Sequence, residues 1–269
     1  CNNRCLQRWR MRRLFSKSIM KNFEQINIKP HLINVPNPRV GVVTLSTDFT
    51  IEQDFRRICY NIPIDIFTNR IPFENPLTQE NYLKMADHLP KIVENILPNQ
   101  KLDVVAYGCT SGTIAIGEER ITSQIHKTKP SVYVTTPITA ALRAFEKLEI
   151  NKIAILTPYP KLVNQTIYDY LKNKKIEIDS FSGFNLEYDS DIAKVDPQHL
   201  KRTIKDINYS DVDAVFVSCT ALRIVEVLQE VEDLIRKPII SSNQAIIWDS
   251  IRSTKIKSSI KGYGKLLLN

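Results

Sequence analysis

Residues 103–110 read DVVAYGCT, and residues 213–220 read DAVFVSCT. In each, an aspartate leads into four strand-forming residues, then a small residue, then Cys-Thr. A short apolar run closed by turn chemistry is the signature of a strand buried on both faces. Three more pairs of segments match in the same order: RVGVVT (39–44) with KIAILT (152–157), IDIF (64–67) with IDSF (178–181), and VTTP (134–137) with ISSN (240–243). The offsets are 113, 114, 110 and 106 residues, with the Cys-Thr pair at 110. One match means little, because β-branched strands resemble one another. Four in register imply a duplicated unit of about 110 residues.

Between these strands lie longer stretches of helical periodicity. The strand expectations are 40–45, 62–67, 102–107, 132–135, 153–157, 176–181, 214–218 and 238–241. The helical ones are 52–60, 79–96, 117–126, 139–148, 162–173, 197–207, 224–235 and 244–252. Thr78 is placed to cap the second helix, and Asp196-Pro197 reads as an N-cap followed by Pro at N1. Alternating strands and helices predict an α/β fold: two pseudo-symmetric, parallel-sheet (Rossmann-like) units with the active site in the cleft between them. The expected organisation is a basic extension over 1–38, disordered at least to 19. One α/β unit follows over 39–148 and a second over 149–269, whose last helix is free to pack back on the first unit.

The chain has 269 residues and a formal net charge of +8. Seven of its 37 basic residues lie in residues 1–23, which contain no acid, leaving 30 against 29 acidic residues in the rest. The charge therefore belongs to the extension and gives no sign of a nucleic-acid face. The extension fits either an organelle transit peptide or an upstream stretch preceding a start at Met20. No apolar run approaches the roughly 20 residues of a membrane span. Five scattered cysteines without CxxC spacing point to a reducing, cytoplasmic compartment. Four histidines far apart in sequence (31, 88, 126 and 199) imply no metal site.

Cys109 and Cys219 occupy the same place in each unit, at a strand end before Thr and an expected helix. A pseudo-twofold axis would bring them face to face. Helix N-termini carry free N–H groups and partial positive charge, which predicts a lowered thiol pKa for at least one sulfur. The same N–H groups, with the hydroxyls of Thr110, Ser111 and Thr220, make a seat for a carboxylate. One sulfur would take a proton or attack on one face, and the other would deliver a proton on the opposite face. A single free cysteine usually just packs; the symmetric pair is what favours chemistry. Cys59 reads as core. GCTSGT lacks the Lys of a phosphate loop and is not a nucleophile elbow. His126 and His199 read as solvated, and the acidic run 187–191 as loop surface.

At these residues the sequence resembles the aspartate/glutamate racemase superfamily, and within it the branch of maleate cis–trans isomerases, arylmalonate decarboxylases and an ectoine-utilisation protein. The resemblance spans about Arg39 to Arg252. It rests on GVVTLSTDFTIEQDFRR (41–57), YGCTSGT (107–113), LTPYP (156–160), FSGFNLEYDSD (181–191) and VSCTALR (217–223). It implies Cys109 and Cys219 as the catalytic pair. Thr110, Ser111, Tyr159 and, in a looser alignment, Asn185 would bind substrate. The decarboxylases of the branch keep only the second cysteine, so two cysteines argue for isomerisation or racemisation. Where maleate isomerases have asparagine, this chain has Asp48, which would repel a dianion and suit an ammonium group. Asp48 also reads as a helix start before Ile51.

The expected function is a cofactor-independent two-cysteine isomerase or racemase of a small carboxylate, with amino-acid derivatives among the candidates. The alternatives are a maleate cis–trans isomerase, an arylmalonate-decarboxylase-like enzyme or a non-catalytic carboxylate binder. A nucleic-acid or membrane-surface role for the basic extension is weaker. The expected partners are the small carboxylate and, as the resemblance implies, copies of the same chain in a dimer or tetramer, with no nucleic acid and no membrane.

Overall fold

The computed structural model describes residues 25–269. The expectations for residues 1–24, including Cys1, Cys5, the disordered extension and the transit peptide, lie outside the described residues. Residues 25–36 have no regular secondary structure and are exposed. Asn37–Asn269 forms one compact unit.

That unit contains two four-stranded parallel sheets. The first has the order β2-β1-β3-β4, built from β1 (Arg39–Leu45), β2 (Asp65–Ile71), β3 (Val104–Gly108) and β4 (Tyr133–Thr135). The second repeats it as β6-β5-β7-β8, from β5 (Lys152–Thr157), β6 (Glu177–Gly183), β7 (Ala214–Val217) and β8 (Ile239–Ser241). Helices α1 (Ile51–Ile58), α2 (Gln79–Glu94), α3 (Thr110–Ile116), α4 (Glu118–His126) and α5 (Pro137–Lys147) accompany the first sheet. Helices α6 (Lys161–Asn173), α7 (Asp189–Ile192), α8 (Pro197–Asp206), α9 (Leu228–Ile235) and α10 (Ser242–Ser253) follow in the second half. Among the described residues, no helix is long and apolar enough to cross a membrane.

The central strands β1, β3, β5 and β7 are buried almost throughout, which is why they read as continuous apolar runs. The edge strand β2 behaves differently. It begins three residues later than expected and runs on through the polar Thr68, Asn69 and Arg70. Pairing on one side only lets its outer face stay wet, so hydrophobicity is a poor guide to where it ends. Ile62 and Ile64, expected to start it, instead sit in a turn closed by Ile62 N–H on the Cys59 carbonyl.

Helix starts follow their caps. Thr78 accepts from Asn81 N–H and Asp196 from Gln198 N–H. Thr136 caps α5 and Ser241 caps α10 through reciprocal capping boxes with Thr139 and Gln244. Val134 pairs with Val105 and Ile239 with Val215, so the fourth repeat match is one residue out of register with the strands. The helix expected over 224–235 is broken at Val227 into a 3₁₀ turn and α9. α10, the last helix, packs against α5 and β3 of the first half as well as against its own sheet. Ser242 to Ile251 are all buried along it.

Candidate active site

Cys109 follows β3 directly and caps α3. Its Sγ accepts from the Gly112 N–H at 3.2 Å, and the Thr113 hydroxyl donates to its carbonyl at 2.6 Å. The turn closes this tightly because residue 112 has no side chain. A Cβ there would lie 2.7 Å from the Cys109 sulfur and 2.8 Å from the Met85 methyl. Cys219 follows β7 by two residues, and its Sγ accepts from Ala221 N–H at 3.4 Å. It does not cap an α-helix as expected: Thr220–Arg223 form a turn leading to the 3₁₀ segment Ile224–Glu226. The second half thus keeps the strand and the Cys-Thr but replaces the short helix with a turn.

The N-terminus of α10 holds the two cysteine turns together. The Ser242 hydroxyl accepts from the Cys219 N–H at 3.1 Å and pairs with the Thr110 hydroxyl at 2.9 Å. Next to it, Asn243 donates to the Thr220 carbonyl and to the Asp54 carboxylate, both at 2.8 Å. The Thr50 hydroxyl donates to the Ala221 carbonyl, and the Thr220 hydroxyl reaches the Gly108 carbonyl at 3.4 Å. All are buried.

Around the sulfurs stand Tyr82, Ser111, Tyr159, Asp48 and Asp189. Tyr82 and Tyr159 each feel the charge of both cysteines. Ser111 lies beside the Cys109 sulfur and the Tyr82 hydroxyl, and the Tyr159 hydroxyl faces the Cys219 sulfur. Segment 72–78 meets segment 184–189. Leu77 N–H bonds the Glu187 carbonyl at 3.1 Å, Asp189 N–H reaches Asn75 at 3.4 Å, and the Thr47 hydroxyl donates to the Asp189 carboxylate. The cysteines are only 3% and 4% exposed.

Burial reverses the expected thiol acidity. Burial pushes the Cys109 thiol up to about 12, with Asp189 and Asp48 adding to it and the Gly112 N–H opposing. Burial raises Cys219 further, against the Tyr159 hydroxyl and the Ala221 N–H. One N–H group per sulfur does not offset the loss of water. Burial likewise raises Asp48, and takes Asp189 to about 6 and Asp54 to about 7.

Of the residues expected to bind substrate, Asp48, Ser111, Tyr159 and Thr220 lie with the sulfurs. The Thr110 hydroxyl is turned to Ser242 instead. Asn185 is exposed at a left-handed position, φ 60°, in segment 184–189. Asp48 does serve the start of α1, its Oδ1 accepting from Thr50 N–H at 2.6 Å and Ile51 N–H at 3.0 Å. Cys59 is buried among apolar side chains. The run 187–191 is not simply surface, because Asp189 is turned inward to Thr47 and buried. His126 is half-buried and its Nε2 meets the Val132 carbonyl at 3.0 Å, whereas His199 is exposed. Tyr82, Asp189 and Ser242 were not singled out by sequence. Tyr82 reads as an ordinary core aromatic, and it does stack on Phe73. Asp189 and Ser242 have no local pattern that marks them.

Two parallel α/β halves, each presenting a cysteine beyond the third strand of the repeat, define a protein of the aspartate/glutamate racemase type. A family model described as arylmalonate decarboxylase matches residues 77–267, and the chain belongs to that family. It is 23% identical over 244 residues to the maleate isomerase of Geobacillus stearothermophilus, covering 85% of this chain and 96% of that protein. It is 26% identical over 135 residues to the arylmalonate decarboxylase of Bordetella bronchiseptica, covering 49% of this chain and 56% of that protein. Among solved structures, the maleate isomerase Iso of Pseudomonas putida S16 superposes with a TM-score of 0.80 at 22% identity, over 86% of this chain and 98% of that one. A mutant of the Nocardia farcinica maleate cis-trans isomerase, holding a covalently bound succinylcysteine intermediate, gives 0.79 at 17% identity, over the same share of each.

Proposed function

We propose that this chain is a cofactor-independent isomerase that processes a small carboxylate between the sulfurs of Cys109 and Cys219. The observation that carries the reading is the pair itself: two buried thiols, delivered by equivalent strands of a duplicated fold, whose turns are joined through the Ser242 hydroxyl. The relatives that are maleate isomerases, one with a succinyl group on a cysteine, support it.

The substrate carboxylate sits on the hydroxyls of Tyr82, Tyr159 and Ser111, which donate to it and absorb charge as an enediolate develops. In a proton-transfer isomerisation, one sulfur takes the proton next to the carboxylate and the other returns a proton to the opposite face. In a cis–trans isomerisation, one thiolate adds to the double bond, the single C–C bond rotates, and elimination restores the alkene and the thiolate. Both routes need a thiolate. The Gly112 and Ala221 N–H groups and the Ser111 and Tyr159 hydroxyls favour it, while burial and the Asp48 and Asp189 carboxyls oppose it.

The test is solvent-deuterium exchange watched by NMR over small carboxylates, including maleate, with Cys109→Ser and Cys219→Ser as controls. Incorporation of deuterium, or conversion of maleate to fumarate, that either substitution abolishes is the expected result. Turnover that survives both substitutions would refute the two-sulfur reading.

A further inference from the structure

Tyr159 stands in the turn from Thr157 to Pro160, between β5 and α6, with a proline on each side. Neither proline has an N–H to anchor the turn, so its placing falls on its carbonyls. All four are met. Phe184 N–H donates to the Thr157 carbonyl at 3.0 Å and Leu186 N–H to the Pro158 carbonyl at 2.7 Å. Asn164 N–H donates to the Pro160 carbonyl at 3.0 Å. The Tyr159 carbonyl is met by a side chain, Asn164 Nδ2, at 2.8 Å. Asn164 Oδ1 accepts from the Thr157 hydroxyl, so one amide clamps both sides of the turn. The clamp is closely fitted: a Cβ on Gly183 would lie 2.8 Å from Asn164 Nδ2 and 3.4 Å from the Thr157 hydroxyl oxygen. A helix start needs acceptors for its free N–H groups, whereas this side chain offers a donor to a carbonyl outside α6. Asparagine is also a poorer helix former than alanine. In the first half, Ser46 and Ile51 stand where the repeat puts Tyr159 and Asn164. There the matching hydroxyl, of Thr44, is buried with no hydrogen-bond partner among the described residues. The fold therefore does not require the clamp, and it occurs in the half that presents a tyrosine.

Resting on the isomerase reading above, we propose that Asn164 is a positioning residue: by holding the Tyr159 carbonyl against Thr157, it sets where the Tyr159 hydroxyl meets the substrate carboxylate. Tyr159 is buried, and its ring carries a small rotation of its peptide into a larger displacement at the hydroxyl. Both polar atoms of the Asn164 side chain are taken up by the turn, so it acts through Tyr159 and not on substrate.

The experiment is a double-mutant cycle of Asn164→Ala and Tyr159→Phe in the full chain. Turnover is measured on whichever small carboxylate shows deuterium exchange or isomerisation, maleate included, and is taken per folded molecule by circular dichroism. Asn164→Ala is expected to lower kcat/KM by about tenfold. In the Tyr159→Phe background the same substitution is expected to lower it by less than about twofold, because the hydroxyl it directs is gone. Asn164→Asp, which keeps the acceptor for Thr157 and loses the donor to Tyr159, is the second variant and is expected to follow Asn164→Ala. Where Tyr159→Phe turns over too slowly to follow, the cycle is read on the dissociation constant of that carboxylate by calorimetry. An unchanged kcat/KM in both Asn164 variants overturns the positioning role and leaves the isomerase reading intact. So does an equal loss with and without the Tyr159 hydroxyl, or a loss accounted for by unfolded protein, either of which makes Asn164 a structural residue only. No turnover of any carboxylate by the wild type overturns the isomerase reading, and the positioning role with it.

Discussion

Asp54 lies behind the Cys219 turn and its carboxyl is completely buried, with Arg57 on one oxygen and Asn243 on the other. Burial raises its pKa to about 7 against an ordinary value of 3.8. A raised carboxyl binds more protons folded than unfolded, so its contribution to stability is fully present below about pH 4 and is lost as pH rises through about 7. About three pKa units correspond to about 4 kcal/mol in all, of which roughly 2.5 kcal/mol falls between pH 5 and pH 8. Asp54→Asn removes the titration while keeping an acceptor for Asn243; Arg57 can turn to Glu226, which it already touches at 3.3 Å. Urea unfolding at several pH values gives the stability of both proteins. Asp48 and Asp189 titrate in the same direction in each, so the difference between the two curves isolates Asp54. The wild type is expected to lose about 2.5 kcal/mol more than the variant between pH 5 and 8. Parallel curves would show that Asp54 is not protonated in the fold at neutral pH and would refute the reasoning.

Cys109→Ser and Cys219→Ser are each expected to cut turnover by about a thousandfold or more while carboxylate binding, measured by calorimetry, persists. Ser242→Ala strands the Cys219 N–H and the Thr110 hydroxyl, which should cost about 2–4 kcal/mol and lower the thermal midpoint by about 4–16 °C; an unchanged midpoint in a melting scan would contradict that bridge. Gly112→Ala drives a methyl group into the Cys109 sulfur, so turnover is expected to fall by about tenfold or more with a stability loss of about 1–3 kcal/mol. Because burial holds both thiols well above neutrality, alkylation of the unliganded protein should be slow at pH 7 and accelerate as pH rises, followed by thiol titration; fast labelling at pH 7 would contradict that burial.

The sequence by itself determined the repeated sheet and the location of both cysteines. Central parallel strands are buried on both faces, so their hydrophobicity is written continuously along the chain, and DVVAYGCT and DAVFVSCT contain the whole of β3 and β7 with the cysteine just past each strand. Caps were legible for the same reason of locality, since Thr78 and Asp196 bond atoms two or three residues away. Edge strand β2 was misplaced because half of it faces water. Only the tertiary structure decided what surrounds the sulfurs. Tyr82, Asp189 and Ser242 come from three distant segments, and each owes its place to a partner far off in sequence. Thiol acidity was misjudged on the same account: local N–H groups are visible in a motif, whereas the desolvation that outweighs them comes from the burial of both sulfurs in the packed chain. Short-range hydrogen bonds and periodicity are properties of neighbouring residues, but burial and the fields inside it belong to the whole packed chain.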